Sequence, residues 1–171
     1  MNLRDRLQPA LLDRLTDLAP QSQAEAEDSR VMNKSQIRDA VLRDLSWLLN
    51  SVQPLGTEGT PYPHAVDSVL NYGLPAMSGQ MASRIDVGQL ERTLKQAILR
   101  FEPRVLEDSL EVKALDASSV LDTHNVIEFE IRGFMWAQPV PMELLLRTQV
   151  DLEAGQVEVR DMTASTPRRR T

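Results

Sequence analysis

Pro103 divides this chain into two patterns of apolar residues that no single secondary structure accommodates. Ahead of it, Val87, Leu90, Leu94, Ala97, Ile98 and Phe101 recur at the spacing of one helix face, the stripe by which a surface helix meets a core. Asp86 followed by Gln89 supplies a capping-box-like start. Pro103 disfavours helical geometry at Glu102, so the helix should stop at about Phe101 and the backbone continue extended. Residues two apart share a face of an extended chain, which sets the charges of Glu102 and Arg104 side by side. Taken alone, this is a helix stop followed by a surface ion pair, worth at most about 1 kcal/mol.

Beyond Arg104 the apolar residues alternate. Leu110, Val112 and Ala114 form one series, and Ile127, Phe129 and Ile131 a second. Met142, Leu144, Leu146 and Thr148 form a third, and Val157 and Val159 a fourth. The intervening positions are largely charged, as in an antiparallel sheet covered on one side only. Glu153, Ala154 and Gly155 suit a tight hairpin turn, and the prolines at 139 and 141 suit the turn before the third strand. The predicted class is α+β, with N-terminal helices packed on one face of a small antiparallel sheet of about four strands.

The N-terminal part carries two further stripes. Leu3, Leu7, Leu11, Leu15 and Leu18 lie at spacings of four, four, four and three, with Pro9 marking a start or a kink. Residues 19–30 follow as a polar, acidic linker with little to bury. A leucine stripe separated by such a linker either folds back on its own core or docks on a partner. Next, Asn33 or Ser35 can cap a helix whose buried stripe is Ile37, Val41, Leu42, Leu45, Leu48 and Leu49. Asp39 and Arg43 are spaced as a favourable pair on it. Trp47 lies well off that stripe, which suggests a helix covered on both sides. Residues 51–64 hold prolines and glycines and read as a loop. A short helix over residues 66–70 then closes in the turn Asn71-Tyr72-Gly73-Leu74-Pro75, with Gly73 supplying a left-handed backbone. The predicted divisions are an arm and linker over 1–30, a domain over 31–162 and a disordered Arg-rich tail over 163–171.

With 171 residues, 42% of them hydrophobic, the chain can bury a real core. Residues 1–6 lack the apolar run of a signal peptide, and nothing later approaches membrane-spanning length, so direct membrane insertion is not expected. The absence of cysteine removes thiolate chemistry and fits a reducing cytoplasm. Setting aside Arg168, Arg169 and Arg170 takes the net charge from −6 to −9 for the rest. So acidic a body repels a phosphate backbone, and nucleic-acid binding is not expected. His64 and His124 are far apart, neither with a second ligand at metal spacing. No metal site, cofactor or catalytic residue is predicted.

Four segments taken together resemble one family. They are Leu11-Leu12-Asp13-Arg14-Leu15, Asp44-Leu45-Ser46-Trp47-Leu48-Leu49-Asn50, Asn71-Tyr72-Gly73-Leu74-Pro75 and Phe101-Glu102-Pro103-Arg104. In this order, with the switch from helix to strand, they resemble TssE. These are small baseplate components of bacterial type VI secretion systems, similar to a wedge protein of contractile-tailed phages. The likeness runs from about residue 3 to about residue 162. It implies a non-catalytic structural protein, cytoplasmic, in a baseplate docked at the inner membrane. It implies that Glu102, Pro103 and Arg104 contact the wedge subunits TssF and TssG. The remaining implied partners are TssK, the sheath proteins TssB and TssC, reached through a sheet edge, and the spike hub. On that reading, alanine at Glu102 or Arg104 leaves the isolated chain folded but weakens its recovery with TssF and TssG.

Two other classes compete with this reading. A lysozyme-like label is attached to the family, but glycoside hydrolysis needs two carboxylates, one of them held protonated. Glu102 beside Arg104 favours the charged form instead. A free-standing peptide-binding adaptor would use the same surface features. Type VI secretion genes beside this one would favour the baseplate.

Overall fold

The computed structural model describes residues 9–16, 20–21, 32–55, 61–77, 86–115, 126–137 and 140–163. Its helices, in chain order, are α1 (Leu11–Leu15), α2 (Lys34–Asn50), α3 (Pro63–Val66) and α4 (Val87–Phe101). Asn33 starts α2 with a complete capping box. Its side chain accepts from the Gln36 amide, and the Gln36 side chain accepts from the Asn33 amide. Two donors that a helix start leaves open are thereby satisfied. At the head of α4 the Asp86 carboxylate accepts from the Gln89 amide at 3.1 Å. The helix stops at Phe101, where the proline two residues on requires it to.

The strands β1 (Glu111–Ala114), β2 (Val126–Met135), β3 (Met142–Asp151) and β4 (Gln156–Asp161) pair in sequence order, each pair antiparallel. Gly155, at φ 66°, closes the last hairpin, and Asp151 accepts from the Glu153 and Ala154 amides. One sheet face places Ile127, Phe129, Ile131, Leu144, Leu146 and Val150 in a single core with Val41, Leu45 and Leu49 of α2 and Leu90, Leu94 and Ile98 of α4. The other face carries ion pairs such as Lys113–Glu111, Arg132–Glu130 and Arg160–Glu158. The molecule is therefore α+β with both long helices on one side of the sheet. No helix among the described residues is long and apolar enough to cross a membrane.

Side chains from the helices partly close both sheet edges. Asn50, the last residue of α2, accepts from the Val157 amide at 2.9 Å and donates to the Val157 carbonyl at 2.8 Å. On β1 the Ala114 amide donates to Glu91 of α4 at 2.7 Å. Such groups hinder pairing with a foreign strand.

The turn after α3 fixes the approach to the site. Gly73 has φ 122°, and a Cβ there would lie 2.3 Å from the Ser51 carbonyl oxygen, so only glycine fits. The close approach lets the Leu74 amide donate to the Ser51 carbonyl and the Gln53 amide to the Leu74 carbonyl. Fully buried Asn71 accepts from the Leu55 amide and donates to the Val66 carbonyl. Tyr72 is thereby set edge-on against Phe101, with ring centroids 5.2 Å apart.

Three expectations are revised or fall elsewhere. The helix expected over 66–70 is instead α3 followed by a 3-10 turn, Val69–Asn71. Pro63 takes an opening helical position, where its missing N–H is not needed, and Ser68 accepts from the Leu70 amide to start the second turn. Arg43 does not pair with Asp39 but turns to Asp13 and Asp44. Residues 138–139, His124, most of the predicted arm and linker, and residues 164–171 of the tail lie outside the described residues.

Candidate partner-binding site

The residues after α4 form a short ladder with the end of β2. Val105 bridges Met135, the Leu106 amide donates to the Phe134 carbonyl at 2.8 Å, and the Trp136 amide donates to the Arg104 carbonyl at 2.7 Å. In this register Arg104 stands opposite Trp136 and Leu106 opposite Phe134, so the four share one face.

Glu102 and Arg104 form the pair that their spacing predicts, but not at the surface. Glu102 is only 3% exposed. Its Oε1 accepts from Arg104 Nε at 2.6 Å and from the Arg104 amide at 3.1 Å, while its Oε2 accepts from Nη2 at 2.5 Å. The same Nη2 donates to Asp44 Oδ2 at 2.5 Å. Asp44 Oδ1 accepts from Arg43 Nε and Nη2 at 2.9 and 2.8 Å, and Arg43 Nη1 reaches Asp13 Oδ1 on α1 at 2.6 Å. Acid and base thus alternate from Asp13 through Arg43, Asp44 and Arg104 to Glu102. Charges removed from water persist only when paired in this way. Burial alone would lower the Arg104 pKa, but hydrogen bonds and charge from Glu102, then Asp44, outweigh it and hold it above its ordinary value. What the corner offers outward is exposed Pro103 and the Arg104 side chain, 27% exposed.

A groove of about 470 Å³ lies against this corner. Its walls include Trp47, Tyr72, Phe101 and Trp136 together with Asp44, Glu102, Pro103 and Arg104. Trp47 and Trp136 are the chain's two tryptophans, each about half exposed. Within the chain Trp47 stays half exposed and forms a groove wall, with the Arg43 guanidinium 5.1 Å over its ring. The Tyr72 hydroxyl donates to the Asp44 carbonyl at 3.3 Å, and burial, then the charges of Asp44 and Glu102, push its pKa up.

The arrangement suits recognition. Trp, Tyr and Arg dominate binding hot spots, and an arginine already locked by a carboxylate fork loses little further entropy on contact. Glu102 and Asp44 both serve as acceptors for Arg104. Among the described residues no group of His, Asp and Glu is placed to hold a metal ion, and His64 is exposed on α3.

The sequence pattern singled out Glu102, Pro103 and Arg104, which the structure does bring together. It missed Trp136 and the partners Asp44, Arg43 and Asp13. A signal for Trp136 existed, because Phe134 and Trp136 continue the outward-facing phase of Glu128, Glu130 and Arg132. Aromatic residues in the polar phase of a strand mark a surface made for contact.

A family model described as baseplate wedge protein gp25 matches residues 35–140, from the first turn of α2 to just short of β3. No curated protein and no solved structure shows significant similarity.

Proposed function

Because the chain belongs to the family of baseplate wedge protein gp25, a family of structural components of contractile injection baseplates, we propose that it is a type VI secretion member of that family. In this reading it joins the wedge subunits TssF and TssG to the base of the contractile sheath, within a cytoplasmic baseplate docked at the inner membrane. TssK, TssB, TssC and the spike hub complete its surroundings. The observation that carries the proposal is the pre-locked Arg104 beside exposed Pro103, at the rim of a groove walled by two half-exposed tryptophans. Glu102 acts from inside, positioning Arg104, while Pro103, Arg104 and Trp136 make the contact. A sheath strand would add at β1 or β4, the two sheet edges, and must meet Glu91 or Asn50 there.

The test uses Pro103→Ala and Trp136→Ser, at an exposed and a half-exposed side chain, neither of which belongs to the hydrophobic core. Far-UV circular dichroism and melting should match the parent chain. Recovery in complex with co-expressed TssF and TssG should fall about tenfold, equivalent to about 1.4 kcal/mol. Undiminished recovery with folded partners would refute the corner as the contact.

A further inference from the structure

The Arg104 guanidinium is committed on one side and open on the other. Its Nε hydrogen goes to Glu102 Oε1, and the Nη2 hydrogens go to Glu102 Oε2 and Asp44 Oδ2. The remaining N–H groups, both on Nη1, bond to no described residue. Arg104 is also part of the groove wall. The acids beside it are in the opposite condition. Both oxygens of Glu102 and both of Asp44 already accept from Arg104 or Arg43. The corner therefore offers free donors and no unclaimed carboxylate oxygen.

Charge narrows what those donors can take. Asp13, Asp44 and Glu102 outnumber Arg43 and Arg104 by one, so the network is net negative. A partner carboxylate approaching Nη1 would meet two acids held to the same arginine, and like charges set side by side in an interface are costly. A cationic side chain would find no free oxygen to accept from it. A neutral oxygen avoids both difficulties. Beside it the groove is walled by Trp47, Tyr72, Phe101 and Trp136, the kind of lining that takes an apolar side chain.

We propose that the corner recognises an uncharged stretch of a partner protein: Arg104 Nη1 donates to a main-chain carbonyl, and an adjacent apolar side chain enters the aromatic groove. This rests on the reading of the corner as a partner contact and adds the chemistry of what is bound. Asp44 is a positioning residue, because it fixes Nη2 and supplies charge that turns acids away.

The test titrates the isotopically labelled full chain at low salt with acetyl-Gly-Trp-Gly-amide, acetyl-Gly-Trp-Asp-amide and acetyl-Gly-Trp-Lys-amide. Nuclear magnetic resonance follows the indole N–H signals of Trp47 and Trp136 and the Arg104 Nε–H. The neutral peptide should shift all three together and bind about tenfold more tightly than the acidic one. Asp44→Asn keeps one acceptor oxygen but removes the charge, and should narrow that gap to about threefold or less, with circular dichroism unchanged. Equal or tighter binding of the acidic or the lysine peptide to the parent chain overturns the proposal, whether or not the variant folds. So does the absence of any shift, or a gap unchanged in folded Asp44→Asn. If the neutral peptide is preferred while recovery with TssF and TssG is undiminished by Pro103→Ala and Trp136→Ser, the corner's chemistry stands and that partner assignment fails. If recovery falls but the acidic peptide wins, the assignment stands and this proposal fails.

Discussion

At Glu102 the carboxylate is enclosed by its own chain, and this changes what its removal should do. Both oxygens are committed to Arg104, so an alanine there leaves a partly buried guanidinium with Asp44 as its remaining acid. Breaking a buried pair typically costs about 3–5 kcal/mol, and the survival of Asp44 puts Glu102→Ala near the lower end. Glu102→Gln retains an acceptor and should lose less. Urea unfolding would read this order directly. A midpoint for Glu102→Ala equal to that of the parent would mean that water already solvates the pair. The sequence alone treats Glu102 as a free contact whose loss the isolated chain tolerates. The burial of this side chain adds a stability cost to that expectation.

Among the elements, α2 has two tasks. Its apolar stripe fills the core, and its last residue closes the β4 edge through both hydrogen bonds of Asn50 to Val157. Asn50→Ala should therefore cost about 1–3 kcal/mol, given roughly 1 kcal/mol for each net hydrogen bond. Amide exchange at Val157 should accelerate with it. Unaltered exchange at Val157 would show that solvent replaces the asparagine without loss. The helix stop at Phe101, the hairpin at Gly155 and the turn at Gly73 were all legible, since each follows from backbone sterics at one or two residues. The division of residues 63–71 into α3 and a 3-10 turn was not, because the apolar residues there are too few to set a period.

At the scale of the whole molecule, α1 adds charge pairing but no buried residue. A chain beginning at residue 32 should therefore melt within about 2–4 °C of the parent, the change that about 1 kcal/mol produces in a domain of this size. A much larger drop in a thermal scan would show that α1 is integral to the fold. The sequence by itself determined the helix faces, the alternation of the strands, the α+β class and the place where one pattern gives way to the other. These follow from short-range periodicity, which a linear reading contains in full. Only the tertiary structure decided which charges neutralise one another. Asp44 and Arg104 are 60 residues apart and Asp13 and Arg43 are 30 apart, and any of the chain's acids could have met any of its bases. Long-range packing of α2 against β4 and α4, with the segment after α4 bridged to the end of β2, brings Asp44 to Arg104. That packing draws Glu102 out of water and leaves Trp47 and Trp136 at the groove.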